Sequence, residues 1–111
     1  EYVLIDGSPY TKFELLDYGE FRVFGLGEHI ALDTSLAILA TIELGEDIDE
    51  VRENLLNYQG IKKRFDIVEN RSDMVVIDDY GHHPTEIKVT IDALKEYSRL
   101  RDFSQISVIW Q

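Results

Sequence analysis

The sequence predicts a mixed α/β protein in two parts: a hairpin or meander of strands with two helices, and then the beginning of a βαβ sheet. Three observations support this prediction. Short apolar runs separated by turn residues fill positions 1–26, apolar residues recur at helical spacing over 30–57, and two continuous apolar runs flank an amphipathic segment after residue 60. A length of 111 residues suits one domain or two partial ones.

The first part opens with strands. Residues 2–5 form a short apolar run that is closed by the turn cluster Asp6-Gly7-Ser8-Pro9. Residues 13–16 and 21–24 follow, and the second of these runs alternates with period two. Turns between short strands predict an antiparallel hairpin or meander.

A helix is expected over residues 30–44. A 3.6-residue period relates Leu32, Leu36, Leu39 and Ile42 or Glu43, so we predict that they form its buried face. Gly45 is placed to end the helix in a left-handed conformation.

A second helix is expected from residue 48 to about residue 57. Asp47 is suited to cap its N-terminus, with Glu50 completing a box-like pattern three residues later. Gly60 then ends this region of the chain.

After residue 60 the period of the apolar residues changes. Residues 64–68 and 74–77 are predicted strands, and the second is expected to be covered on both faces because its apolar run is continuous. Residues 84–97 form an amphipathic helix with Pro84 in its first turn, and residues 106–110 predict a further buried strand. Strand, helix and strand in this order predict a right-handed βαβ unit.

Charge and composition limit the possible functions. The net charge of −11 argues against a general nucleic-acid binder, and the chain contains no cysteine for a disulfide or a thiolate metal site. No apolar run approaches the roughly 20 residues that span a membrane. We therefore expect no nucleic-acid or membrane partner, and a cytoplasmic location.

The charge also changes along the chain. Residues 1–60 hold 13 acidic and 3 basic residues, whereas residues 61–111 hold 9 and 8. This shift indicates a domain boundary near residue 61. The basic cluster Lys62-Lys63-Arg64 begins there, and Arg64 either clamps a phosphate or belongs to a solvated run of charges.

The densest polar cluster is Asp78-Asp79-Tyr80-Gly81-His82-His83-Pro84-Thr85-Glu86. It follows a predicted buried strand and opens a helix, where ligands bind in open α/β sheets and where a helix N-terminus suits a phosphate. The structural alternative is that an Asp or His merely caps the helix, with Glu86 in its favourable first turn. A metal cage of Asp78, Asp79, His82 and His83 is a weaker reading, because metal ligands usually come from several segments.

Two blocks carry a family resemblance. Gly60-Ile61-Lys62-Lys63-Arg64-Phe65 and, at matching distance, the Asp78–Glu86 cluster followed by Ile87 resemble the Mur ligases of peptidoglycan synthesis. The resemblance spans nearly the whole chain and is strongest over residues 60–91.

The resemblance implies an ATP- and Mg²⁺-dependent ligase with three domains. Residues 1–61 would be the end of the central ATPase domain, and residues 62–111 the start of the C-terminal Rossmann-like domain. Such enzymes activate a carboxylate as an acyl phosphate, which an amino-acid amine then attacks. Phe65 and Tyr80-Gly81 favour the branch that joins L-alanine to UDP-N-acetylmuramate over the sibling that adds a murein tripeptide.

The same resemblance assigns roles to residues of the two blocks. Arg64 would contact the ATP phosphates, and Asp79 would hold Arg64 or the ATP ribose. His82 would line the nucleotide and amino-acid side of the cleft, with His83 and Tyr80 on the same wall near the substrate.

The first helix departs from the family pattern Gly-x-His-Asn-x-x-Asn, whose asparagines read adenine. Gly27 and His29 match, but Ile30 and Asp33 replace the asparagines. Asp33 can only accept a hydrogen bond from the exocyclic amine of adenine. The resemblance thus leaves His29 and Asp33 as the candidate nucleotide-binding residues of this helix. The family's Gly-Lys-Thr phosphate loop and UDP-binding domain are not among these residues, so we expect the chain alone to be inactive.

Two other functions compete with the ligase. An acidic binding module without catalysis explains the charge and the length, and a small metal-dependent hydrolase would use the Asp/His cluster. Incomplete sheets leave exposed edges, so a homodimer through those edges is a further expectation.

Overall fold

The computed structural model describes residues 1–110 and divides into two compact units. The first unit is Glu1–Gly60 and the second begins at Ile61. The division falls where the charge composition changes. The assignment of residues 1–61 and 62–111 to the central and C-terminal domains of a ligase stays a prediction.

The first unit is built on an antiparallel meander. Strands β1 (Tyr2–Ile5), β2 (Ser8–Leu15) and β3 (Gly19–Phe24) lie in the order β1-β2-β3. Asp6 and Gly7 make the first turn with φ angles of 49° and 76°, the conformation that Asp-Gly pairs favour in two-residue hairpins. The predicted meander is therefore confirmed.

Two helices follow the meander. Helix α1 (Glu28–Glu43) is followed by its C-cap residue Leu44, and Gly45 then takes a left-handed φ of 93°. Helix α2 (Ile48–Asn57) has the predicted bounds, because the Asp47 carboxylate accepts hydrogen bonds from the backbone N–H groups of Asp49 and Glu50.

The core of this unit lies between the sheet and the two helices. Phe21 and Ile38 are each 1% exposed. The prediction that Leu32, Leu36 and Leu39 form the buried face of α1 is wrong, because all three are exposed. Apolar and small residues occur nearly all round this helix, and the covered face is the one that carries Ile38.

The second unit pairs two strands and one helix. Strands β4 (Asp66–Asn70) and β5 (Val75–Asp78) form an antiparallel hairpin, and α3 (Pro84–Leu100) follows. Tyr97 of α3 is 2% exposed and its ring meets that of Phe65 edge-on, with centroids 6.2 Å apart. Burial raises the pKa of the Tyr97 hydroxyl.

The C-terminal end of α3 is tied to this hairpin. Arg101 donates hydrogen bonds of 2.7 Å to the Asn70 side chain and to the Arg71 carbonyl. These bonds and the Tyr97 contact hold the C-terminal end of α3 beside β4 and the residues that flank it.

The predicted βαβ unit is not completed within the described residues. Positions 106–110 belong to no strand, and Ile109 and Trp110 are exposed. The alternate side chains Val75 and Ile77 of β5 are partly covered, whereas Val76 is 42% exposed, so the prediction of a strand covered on both faces is also wrong. Parallel strands are stable when both faces of their sheet are covered, and in this unit α3 covers one face.

None of the helices within residues 1–110 combines the length and the apolar character needed to cross a membrane.

Candidate functional site

The candidate site consists of two loops in the second unit, residues 61–65 and residues 78–86. The first loop is a tight turn in which Lys63 and Phe65 take left-handed φ angles of 62° and 48°. Arg64 donates its backbone N–H to the Ile61 carbonyl at 3.1 Å, and Lys63 donates to the Asp66 carboxylate at 3.1 Å. The turn leaves the side chains of the basic cluster exposed.

Asp79 ties the two loops together through their backbones. Its Oδ2 atom accepts from the Phe65 N–H at 2.9 Å and its Oδ1 atom accepts from the Gly81 N–H at 2.7 Å. The Tyr80 N–H donates to the Lys63 carbonyl at 2.8 Å. Two of these hydrogen bonds fix the backbone on both sides of Arg64 relative to the second loop, and the Gly81 bond orders the second loop itself.

Glycine is required at position 81 by this close approach. A Cβ atom there would lie 2.7 Å from the Asp79 Oδ1 atom and 3.4 Å from the Glu86 Cβ atom. Alanine at this position would displace the carboxylate that joins the loops.

The guanidinium of Arg64 pairs with Glu86 rather than with Asp79. The Arg64 Nη1 atom lies 3.4 Å from the Glu86 Oε1 atom, and this is its one side-chain hydrogen bond within residues 1–110. The Asp79 carboxylate instead accepts from the neighbouring backbone N–H groups, and its expected role in holding Arg64 or the ATP ribose stays a prediction.

The start of α3 is capped by its own side chains. The His83 Nδ1 atom accepts from the Thr85 N–H at 3.3 Å. The Glu86 Oε2 atom accepts from the His83 N–H at 3.2 Å and the His82 N–H at 3.4 Å. The structural alternative, a capped helix with Glu86 in its first turn, is thereby confirmed.

This capping box has two consequences. The two backbone N–H groups and the nearby Arg64 guanidinium lower the pKa of the Glu86 carboxyl. The same N–H groups are no longer available to a ligand, so the expectation of a phosphate held by this helix N-terminus is not supported by the geometry.

Tyr80 and His82 lie together on the exposed side of the second loop. The His82 Nδ1 atom is 3.3 Å from the Tyr80 carbonyl oxygen, and the two rings meet edge-on with centroids 5.6 Å apart. Both side chains are accessible to a ligand.

His29 and Asp33 belong to the first unit, where both are exposed on α1. The His29 ring folds back over Gly27, where an added Cβ atom would lie 2.4 Å from the ring. The glycine of the sequence pattern thus makes room for its histidine.

The metal-cage reading finds no geometric support. Within residues 1–110, no three His, Asp or Glu side chains are arranged to share a metal ion. Asp79 is committed to backbone N–H groups, and His83 caps α3.

Comparison with known proteins places these loops in a family. Residues 63–109 match the family model described as Mur ligase, glutamate ligase domain. This match places residues 63–109 of the chain in the Mur ligase family. Within this Mur ligase segment lie Arg64 and the whole cluster from Asp78 to Glu86.

Proteins named UDP-N-acetylmuramate–L-alanine ligase are similar to nearly the whole chain. A Campylobacter jejuni relative is 56% identical over 94% of this chain and 24% of its own length. A Helicobacter pylori relative is 53% identical over 100% of this chain and 24% of its own length. A Campylobacter curvus relative is 50% identical over 98% of this chain and 25% of its own length. The chain spans about a quarter of the length of these relatives.

Glu86 is the site residue whose role the sequence reasoning missed. Its position in the first turn of α3 predicts only a favourable interaction with the helix dipole. Its contact with Arg64, 22 positions away, depends on how the two loops meet and has no local sequence signal.

Proposed function

We propose that the protein containing this chain joins L-alanine to UDP-N-acetylmuramate in an ATP-dependent reaction of peptidoglycan synthesis. The observation that carries the proposal is the 56% identity over 94% of the chain to a relative of that name. The second candidate is the murein tripeptide ligase of the same family. Phe65 and Tyr80-Gly81 favour the alanine-adding enzyme.

The proposed reaction forms one amide bond. The carboxylate of UDP-N-acetylmuramate attacks the γ-phosphorus of ATP, and ADP leaves with the electrons of the broken bond. The amine of L-alanine then attacks the acyl carbon, loses a proton and expels phosphate. Negative charge moves between oxygens throughout, so cationic donors held in place in advance supply much of the catalysis.

Arg64 is the residue of this chain best suited to that charge. Its guanidinium carries five N–H donors, and the contact with Glu86 engages one of them. The backbone on either side of Arg64 is held by hydrogen bonds to the second loop. We therefore assign Arg64 to the ATP phosphates, and Asp79 to the position of the loop that carries Arg64.

Other residues retain the roles that the family resemblance implies. His82 and Tyr80 are exposed on the second loop and are proposed to line the nucleotide and amino-acid side of the cleft. His83 is a weaker candidate, because its Nδ1 atom caps α3. His29 and Asp33 are proposed to contribute to the nucleotide site from the first unit.

Mg²⁺ would neutralise phosphate charge in this reaction. No acidic cluster within residues 1–110 is arranged to cage a metal ion. We therefore assign Mg²⁺ binding mainly to segments outside this chain, and we expect no ATP binding by the isolated chain in calorimetry. Micromolar affinity would contradict that expectation.

The proposal is tested with the full-length protein and the variant Arg64→Ala. ADP release is measured as a function of UDP-N-acetylmuramate and L-alanine, and the variant should lower kcat on the order of 100-fold, as loss of one preorganised donor commonly does. Lys62→Ala is the matched control, since it removes a neighbouring exposed positive charge. ADP release that depends on a tripeptide instead of L-alanine would favour the sibling enzyme, and equal kcat values for the two variants would refute the role of Arg64.

A cytoplasmic location is proposed for this activity, because the nucleotide substrates are made there and the chain has no cysteine. A homodimer through the free edges of the two sheets stays a prediction. Size-exclusion chromatography with light scattering on the full-length protein would test it, and a monomeric mass would contradict it.

A further inference from the structure

We infer that Glu86 is a positioning residue that holds the guanidinium of Arg64 ready for the phosphates. The inference rests on the proposed function, and it adds a residue to which the family resemblance assigned no role. Its basis is the contact between the Arg64 and Glu86 side chains, which joins the two loops.

Glu86 is itself held in place. One carboxylate oxygen accepts from the backbone N–H groups of His82 and His83. These bonds leave the second oxygen directed at the Arg64 Nη1 atom, 3.4 Å away. Glu86 thus offers Arg64 a charged partner whose own side chain is already ordered.

Arg64 needs such a partner because its backbone alone does not order its side chain. The hydrogen bonds of the two loops fix the Lys63 carbonyl and the Phe65 N–H. The Arg64 side chain is nevertheless 61% exposed and has four rotatable bonds. Ordering such a side chain before the substrate binds removes an entropic cost from the reaction.

The contact is poorly suited to a role in stability. Glu86 and Arg64 are both partly exposed, and exposed ion pairs contribute little to folding. A positioning role predicts the opposite sensitivity: loss of the pair should lower turnover far more than it lowers the free energy of unfolding.

The test is Glu86→Gln in the full-length protein. Glutamine at this position of a capping box can still accept from the backbone N–H groups, so helix α3 keeps its cap. Glu96→Gln is the matched control, because it breaks an ion pair of 2.5 Å with Arg99 on the same helix. We expect Glu86→Gln to lower kcat about tenfold, within the range for coupled neighbours, with no change in KM for L-alanine, and Glu96→Gln to leave both constants unchanged.

A double-mutant cycle separates positioning from capping. In an Arg64→Ala background, Glu86→Gln should have no further effect on kcat, because the group that it positions is absent. Equal losses of kcat in both backgrounds, or a kcat for Glu86→Gln that matches Glu96→Gln, would overturn the inference.

A second measurement does not depend on activity. In full-length protein labelled with ¹⁵N-arginine and assigned with Arg64→Lys, relaxation of the Arg64 Nε–H group should indicate an ordered side chain that becomes mobile in Glu86→Gln. Unchanged mobility would overturn the inference by itself. A different outcome is that the Arg64 side chain becomes mobile in Glu86→Gln but the wild-type protein shows no turnover that depends on L-alanine. That outcome would show that the proposed function has failed although Glu86 does order Arg64.

Discussion

Replacing Asp79 with alanine should destabilise the second unit more than any other single surface change in its loops. The variant removes the acceptors of the Phe65 N–H at 2.9 Å and the Gly81 N–H at 2.7 Å. Hydrogen bonds to a charged group are worth about 1.5–3 kcal/mol each. Because this site is only half-buried, the lower value applies to each bond, and the two losses together amount to about 3 kcal/mol in the free energy of unfolding.

Urea denaturation followed by circular dichroism would measure this loss in the 111-residue chain. Amide hydrogen exchange at Phe65 and Gly81 would assign it to the second unit, since the two units need not unfold together. Asp73→Ala is the control, because it removes an aspartate of the same unit whose partner Arg71 is largely exposed. A loss below about 1 kcal/mol for Asp79→Ala, or equal losses for both variants, would refute the view that Asp79 joins the loops.

Two further predictions concern the core and the capping carboxylate. Ile38→Ala should lower the free energy of unfolding of the first unit by about 2–5 kcal/mol, because Ile38 is 1% exposed. Leu36→Ala on the exposed face of α1 should change it little in the same urea titration, and equal losses would contradict the observed packing. The pKa of Glu86 is lower in the folded state than in the unfolded chain, chiefly through the His83 and His82 N–H groups. Its contribution to stability is therefore present above the unfolded-state pKa of about 4.3 and lost as the pH falls through the folded value. The difference between wild type and Glu86→Gln in pH-dependent urea titrations should shrink in that acidic range, and a constant difference would contradict this account.

Local signals determined most of the secondary structure from sequence. Asp6-Gly7 specifies the first hairpin turn, Asp47 caps α2, and Pro84 begins α3. Each signal acts within a few residues of itself, through a φ angle or a side chain that reaches a neighbouring N–H.

Burial and pairing were less accessible to sequence reasoning. The helix α1 is apolar on several sides, so its periodicity does not decide which side is buried. The side that carries Leu36 is in fact exposed. The apolar run at 106–110 predicts a strand, but a strand forms only beside a partner and under a covering layer. In the second unit β5 pairs with β4, and the run forms no strand.

The sequence by itself determined the class of fold, the starts of α2 and α3 and, through the blocks around Arg64 and Asp79, the family. The tertiary structure decided that Asp79 binds backbone N–H groups and that Glu86 is the partner of Arg64. These contacts join residues 14 to 22 positions apart. Such contacts depend on the path of the whole chain between them, for which no local spacing rule exists.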